Sequence, residues 1–347
     1  MAARTAAPRR SSGVPLSRFS GPTPVGERLA GLVGGIPTTH GTPAVARQRI
    51  VSHKPDQRTV TVVELVEPVI LAGGDGRLED RLYVKVFSEA ERGARSMLTL
   101  GLLCDEARDR GVSFGLPRPL AWSDDPPILV LSAVPGRALA DIAPRDVPWD
   151  AIGHWMATLH QLRAPLPRRY DFDGEMLTLR RWSTEIASAG APDGLVRRYD
   201  ALIDDIVAAA PMNADRPMTG VIHRDLHQEH LIVDRSDRIG VVDLDEARLG
   251  DPHVDLGHLY AHLVLASVSR HLLVTMFDAW SATIGRDIDA PAMGVATALA
   301  GLKIARQRAT GFGVHPMPVG DERWPAAQRA LDLADDALRA DRHWSDL

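Results

Sequence analysis

Between residues 48 and 134 the apolar positions fall in short β-branched or alternating runs. Beyond residue 150 they recur at spacings of three and four. Thr59-Val60-Thr61-Val62-Val63 is β-branched throughout, 68–72 continues in apolar residues, and Leu82-Tyr83-Val84-Lys85-Val86-Phe87 follows the turn signal Gly73-Gly74-Asp75-Gly76. Such side chains fit a pleated, half-buried surface, so the runs predict strands. A helix is predicted over 88–110, with Met97, Leu98, Leu100, Leu102 and Leu103 as its apolar positions, and a short buried strand over 128–134, closed by Pro135-Gly136.

In the second half, 150–163 places Ile152, Trp155, Met156, Leu159 and Leu162 on one helical face. Further helices are predicted over 177–188, 195–209, 254–266, 272–284, 292–309 and 326–340, with one β interruption at 220–244. Strands gathered first and helices later predict a segregated α+β fold rather than alternating βαβ units.

Composition narrows the class. The chain has 347 residues, enough for one large domain or two lobes, with 45% hydrophobic and 24% charged residues, as in soluble globular proteins. Forty Lys+Arg against 45 Asp+Glu give a net charge of −5, which excludes a general nucleic-acid binder held by phosphate neutralisation. The longest run free of acids, lysine and arginine, 29–46, is broken by Gly34, Gly35, Pro37, His40 and Pro43, so no membrane span is expected. One cysteine, Cys104, excludes a disulfide framework and fits a reducing, cytoplasmic setting. Residues 1–25 hold four arginines, no acid, and many Ala, Pro, Ser and Gly, the composition of a disordered tail. Lysine occurs only at Lys54, Lys85 and Lys303. In a chain that otherwise uses arginine, each lysine marks a place where a compact ammonium serves better than a planar fork.

The chemistry concentrates in the β interruption. The strand Val221-Ile222 leads into His223-Arg224-Asp225-Leu226-His227-Gln228-Glu229-His230, Leu231-Ile232-Val233 leads out, and a turn at 234–238 returns the chain along 239–242 to Asp243. Asp225 and Asp243 therefore emerge at the same end of a hairpin. Phosphoryl transfer needs that pair: one carboxylate to orient and accept the proton of an attacking hydroxyl, another to hold the metal that bridges the nucleotide phosphates. The loop matches the kinase pattern H-R-D-L-x-x-x-N except at the last position, where His230 replaces Asn. His223, His227 and His230, at spacings of four and three, would share a face only on a helix, so zinc is disfavoured in this strand–loop–strand segment. His223 is read as a support of the loop, Asp251-Pro252 as N-cap and first residue of the next helix, and Asp255 as a brace.

These residues, with Val241-Val242-Asp243-Leu244-Asp245 and Gly250-Asp251-Pro252-His253-Val254-Asp255-Leu256, resemble the aminoglycoside phosphotransferase family of the protein-kinase-like superfamily. The resemblance runs from about residue 48 to the end and implies a bilobal fold. Residues 26–135 would form a small β-rich, nucleotide-binding lobe, and 136–347 a mostly helical lobe with the catalytic loop and substrate site. It further implies Asp225 as catalytic, Asp243 as magnesium ligand, Lys85 as the lysine that grips the phosphates, and 131–134, Leu131 and Ala133 included, as backbone partners of the nucleobase. ATP or GTP would be the donor. His230 stands at the second metal position, where imidazole suits a softer ion such as Mn²⁺ better than Mg²⁺; either it ligates such an ion or that site is weak and His230 contacts the phosphates instead. Glu91 is taken as the acidic partner of Lys85 ahead of Glu89 and Glu106. No G-x-G-x-x-G loop precedes Lys85.

The expected activity is ATP-dependent phosphorylation of a small hydroxylated molecule, recognised by 182–211 and 266–347. Asp332, Asp335 and Asp336 could meet a cationic acceptor, but they also fit the solvated face of a helix whose apolar side is Leu331, Ala334 and Leu338. Two rival readings remain: a kinase of peptide or protein hydroxyls, favoured by Arg224 before Asp225, and a nucleotide-binding protein without catalysis, favoured by His230.

Overall fold

The computed structural model describes residues 24–54, 57–72, 76, 78–112, 115–210, 219–311 and 322–339. They fall into two compact units, one of residues up to 101 with 117–133, the other of 102–116 with 134 onward.

The first unit is built on a six-stranded antiparallel sheet: β1 (Thr38–His40), β2 (Val45–Lys54), β3 (Arg58–Leu71), β4 (Leu78–Phe87), β5 (Pro119–Asp124) and β6 (Pro127–Ser132). The order is β1-β3-β4-β6-β5, with β2 also paired to β3. Alternation on β4 sends Leu82, Val84 and Val86 into a core shared with Val63, Leu65 and Val69 of β3 and Ile128 and Val130 of β6. That face is closed by α1 (Pro24–Gly34) through Leu29 and Val33. Residues 1–23 of the expected tail lie outside the described residues, and α1 begins at Pro24. With Gly31 and Gly34 inside it, α1 has little intrinsic helix preference, and the sheet it packs on supplies what the local sequence lacks. The Gly73-Gly74-Asp75 part of the expected turn also lies outside the described residues. Helix α2 (Ala90–Asp109) matches its expected span, but Leu98 is half exposed and the buried face is Leu100, Leu103 and Ala107.

The second unit is mostly helical: α3 (Trp149–Gln161), α4 (Phe172–Ser188), α5 (Asp193–Ala209), α6 (His253–Leu265), α7 (Arg270–Ile284), α8 (Ala290–Thr310) and α9 (Arg323–Arg339). Five short strands interleave with them: β7 (Arg137–Ala138), β8 (Gly220–Ile222), β9 (Leu231–Val233), β10 (Ile239–Val241) and β11 (Arg248–Gly250). Strands β10-β9-β7 form one sheet and β11-β8 another. Helix α8 is the axis of this unit. A side chain at Gly257 of α6 would come within 2.5 Å of Thr297 N, and one at Gly301 within 2.7 Å of Ala330 O on α9. Those backbone approaches fix α8 between its neighbours, and with it the side chains it presents. Among the described residues, no helix is long and apolar enough to cross a membrane.

Candidate active site

Strand β8 is wholly buried and pairs Ile222 with Arg248 of β11, so His223, Arg224 and Asp225 leave the sheet from a fixed point. Arg224 has φ 70°, in the left-handed region, which costs a non-glycine residue about 1 kcal/mol. Buried Asp255 holds the loop in that conformation: Oδ2 accepts His223 N–H at 2.7 Å and Oδ1 accepts Arg224 N–H at 2.7 Å. Its position is set in turn by His160. Trp280 Nε1–H donates to His160 Nδ1 at 2.9 Å, which leaves the ring proton on Nε2 to donate to Asp255 Oδ2 at 3.2 Å. The Arg224 guanidinium is anchored to Glu175 Oε2 at 2.5 Å and Glu246 Oε2 at 3.4 Å. Asp255 is therefore the brace expected from sequence. Asp251 differs: Pro252 holds the N-cap position, while Asp251 Oδ1 accepts from His253 N and Nδ1 at 2.9 and 2.7 Å.

The return hairpin forms as expected. Asp234 Oδ1 accepts Ser236 and Arg238 N–H groups, and β9 and β10 pair Leu231 with Val241. Val242 N–H then donates to His230 O at 2.9 Å, which puts His230 beside the end of β10, where Asp243 turns away with φ 67°. His223 ties the two arms, with Nε2–H donating to Val242 O at 2.9 Å and Nδ1 accepting Asp225 N–H at 3.3 Å. Both its ring nitrogens are used, so His223 is no metal ligand.

His230 Nδ1–H donates to the Asp225 carbonyl at 2.7 Å, which leaves the Nε2 lone pair 3.6 Å from Asp243 Oδ2. Burial, the main cause, lowers the His230 pKa to about 4, so the ring is neutral at ordinary pH. The ring lies tilted against His227 at 3.8 Å, His227 stacks on His262 of α6 at 4.9 Å, and His258 lies edge-on to His262. Asp225, His227 and His230 offer ligand atoms within 4.8 Å of one another.

Asp225 itself meets Lys303 of α8, whose Nζ donates to Oδ1 at 2.5 Å. Burial pushes the Asp225 carboxyl up, but the Lys303 ammonium outweighs it and holds the group well below the usual carboxylate range. The scarcity of lysine pointed at Lys303, but nothing local to it named a partner 78 residues away.

In the first unit, Lys85 is buried on β4 between Val60 of β3 and Leu129 of β6. Glu91 is 88% exposed and pairs with Arg95 at 3.5 Å. Glu89 is exposed, and Glu106 is engaged by Arg110 at 2.5 Å and Arg163 N–H at 2.9 Å. Leu131 is paired on both sides, to Tyr83 and Pro119, and Ala133 lies just past the end of β6. Asp332 and Asp335 are tied to Arg198 at 2.5 and 3.3 Å, and Leu331 and Ala334 are buried, as the solvated-face reading requires.

A strand-rich unit followed by a mostly helical one is the α+β architecture of a protein-kinase-like fold. The sequence profile of the phosphotransferase enzyme family (APH) matches residues 67–293, and the chain belongs to that family. Solved structures of similar fold include the choline kinase LicA from Streptococcus pneumoniae, at 13% identity and TM-score 0.58, covering 89% of this chain and 97% of that one. A choline/ethanolamine kinase family protein from Mesorhizobium loti aligns at 14% identity and TM-score 0.58, over 90% and 99%. Spectinomycin phosphotransferase APH(9)-Ia aligns at 11% and 0.58, over 90% and 98%. No curated protein matches the chain in sequence. The family assigns the protein to the phosphotransferases.

Proposed function

We propose that the protein transfers the γ-phosphoryl group of ATP to a hydroxyl of a small molecule, with a divalent metal held by Asp243 and His230. The observation that carries this reading is His230 itself: one ring nitrogen is committed to the Asp225 backbone, and the other, unprotonated, faces Asp243 at 3.6 Å. A neutral imidazole nitrogen and a carboxylate oxygen turned to one another suit a cation between them and repel in its absence. When bound, the metal neutralises charge on the nucleotide phosphates.

Asp225 is ionised and braced, so its carboxylate orients the acceptor hydroxyl and takes its proton as the new P–O bond forms. The loose transition state asks for a well-placed acceptor of that proton more than for a strong base. Lys85 grips the phosphates, and the backbone around Leu131 and Ala133 meets the nucleobase. In the second unit a cavity of about 460 Å³, lined by Tyr170, Phe172, Val207, Asp251, Val295 and Leu299, supports an acceptor of small-molecule size. Two of its walls continue to the loop: α4 through Glu175 to Arg224, and α8, one turn beyond Leu299, through Lys303 to Asp225.

The test is incubation of the purified protein with ATP, Mg²⁺ or Mn²⁺ and a panel of hydroxylated small molecules, read by mass spectrometry. A phosphate-sized mass gain on one acceptor, lost in Asp225→Asn, is expected. Nucleotide binding with no gain on any acceptor would overturn the proposal in favour of a non-catalytic binder.

A further inference from the structure

Helix α8 delivers a lysine to the loop from far along the chain. Lys303 follows buried Leu302 and precedes buried Ile304, and its own side chain is only 19% exposed. Its ammonium meets Asp225 Oδ1 at 2.5 Å and the Arg224 carbonyl at 3.4 Å, the two residues at the turn of the loop. The other Asp225 oxygen, Oδ2, takes no hydrogen bond among the described residues, and His258 Nε2, the nearest ring nitrogen to Oδ1, stays 3.8 Å away. His258 cannot take over the role of the lysine, since its Nδ1–H is spent on the Leu226 carbonyl. The carboxylate is thus gripped on one oxygen and open on the other.

We infer that Lys303 is the positioning residue of the reaction: it fixes Asp225 by Oδ1 so that Oδ2 alone is presented to the acceptor hydroxyl. The inference rests on the assignment of Asp225 to that hydroxyl. It also accounts for the residue type. A guanidinium binds carboxylates through two parallel N–H groups and would cover both oxygens, whereas an ammonium is a point charge that holds one. In a chain with three lysines and otherwise only arginine, this is a position where arginine would defeat the geometry.

The experiment uses the full chain and ATP turnover with water as acceptor, read as phosphate release, so that no acceptor need be known. Lys303→Met, Lys303→Arg, Asp225→Asn and Lys303→Met/Asp225→Asn are compared with the unmodified protein, with thermal unfolding recorded for each. Lys303→Met should lower kcat about 10- to 100-fold, the range set by misplacing a reacting group, while leaving the KM for ATP unchanged. Lys303→Arg should be impaired to a similar degree despite keeping the charge. In the Asp225→Asn background, Lys303→Met should cost nothing further, because the lysine acts only through that carboxylate. A second, equal loss there, or full activity of Lys303→Arg, would overturn the inference. Unchanged turnover in Asp225→Asn would instead remove the assignment of Asp225 on which it rests, and the two failures are read from different variants.

Discussion

His230 Nε2 stands 3.6 Å from Asp243 Oδ2, and the opposite ring nitrogen is bound to the carbonyl of Asp225. One imidazole therefore links the residue expected to meet the acceptor with the residue expected to hold metal. Because Nε2 is a softer donor than an amide oxygen, Mn²⁺ should support turnover better than Mg²⁺. His230→Asn should shift the ratio back toward Mg²⁺, and Asp243→Ala should abolish the metal dependence of nucleotide binding. Turnover and ATP titrations with each ion check both, and an unmoved Mn²⁺/Mg²⁺ ratio would remove His230 from the metal site.

Asp225→Asn removes the proton acceptor but keeps the shape of the side chain. Acceptor phosphorylation should fall at least about 100-fold while ATP affinity stays within error. Lys85→Met should show the reverse pattern, with weakened ATP binding measured by calorimetry. If the two variants cannot be told apart by binding, the division of roles between them fails.

Asp255→Ala should be the most damaging change that touches no reacting group. It strips both partners from the His223 and Arg224 amides and leaves His160 Nε2–H buried without an acceptor. Leaving buried donors unpaired costs about 1–3 kcal/mol each, so a loss of several kcal/mol in chemical denaturation is expected, along with release of the left-handed Arg224. A destabilisation below about 1 kcal/mol would mean the loop is held by other means.

Acid should destabilise the second unit before carboxylate chemistry sets in. Burial lowers the His262 pKa to about 3 and the His230 pKa to about 4, and holds His227 and His258 well below their ordinary value. An unfolded histidine takes up its proton near ~6.5, so between there and about 4 the unfolded chain binds more protons than the folded one. The contribution is complete above ~6.5 and declines as pH falls, by up to about 1.4 kcal/mol per pH unit for each such ring. Unfolding free energy measured from pH 7 to 4.5 should show this slope, and His262→Gln should reduce it. A flat profile in that window would mean these rings are protonated in the folded protein.

The sequence alone determined the strands-then-helices order and the strand–loop–strand segment that carries Asp225 and Asp243, because each is written in local periodicity or in one short stretch of chain. The brace at Asp255 was legible for the same reason, lying just past the second strand. Helix α1 was not: its glycines oppose helix formation, and only the sheet beneath Leu29 and Val33 makes it worthwhile. The state of His230 depended on its burial beside the His223 and His227 rings, which lowers its pKa to about 4. The register of β9 on β10 then set its distance to Asp243. Lys303 shows the division most plainly. Composition marked it as one of three lysines, but its partner lies 78 residues earlier, and only the close approach of α6, α8 and α9 at Gly257 and Gly301 brings that ammonium to the carboxylate. Short-range patterns fix which elements form; which side chains meet is decided by packing between elements distant in the chain.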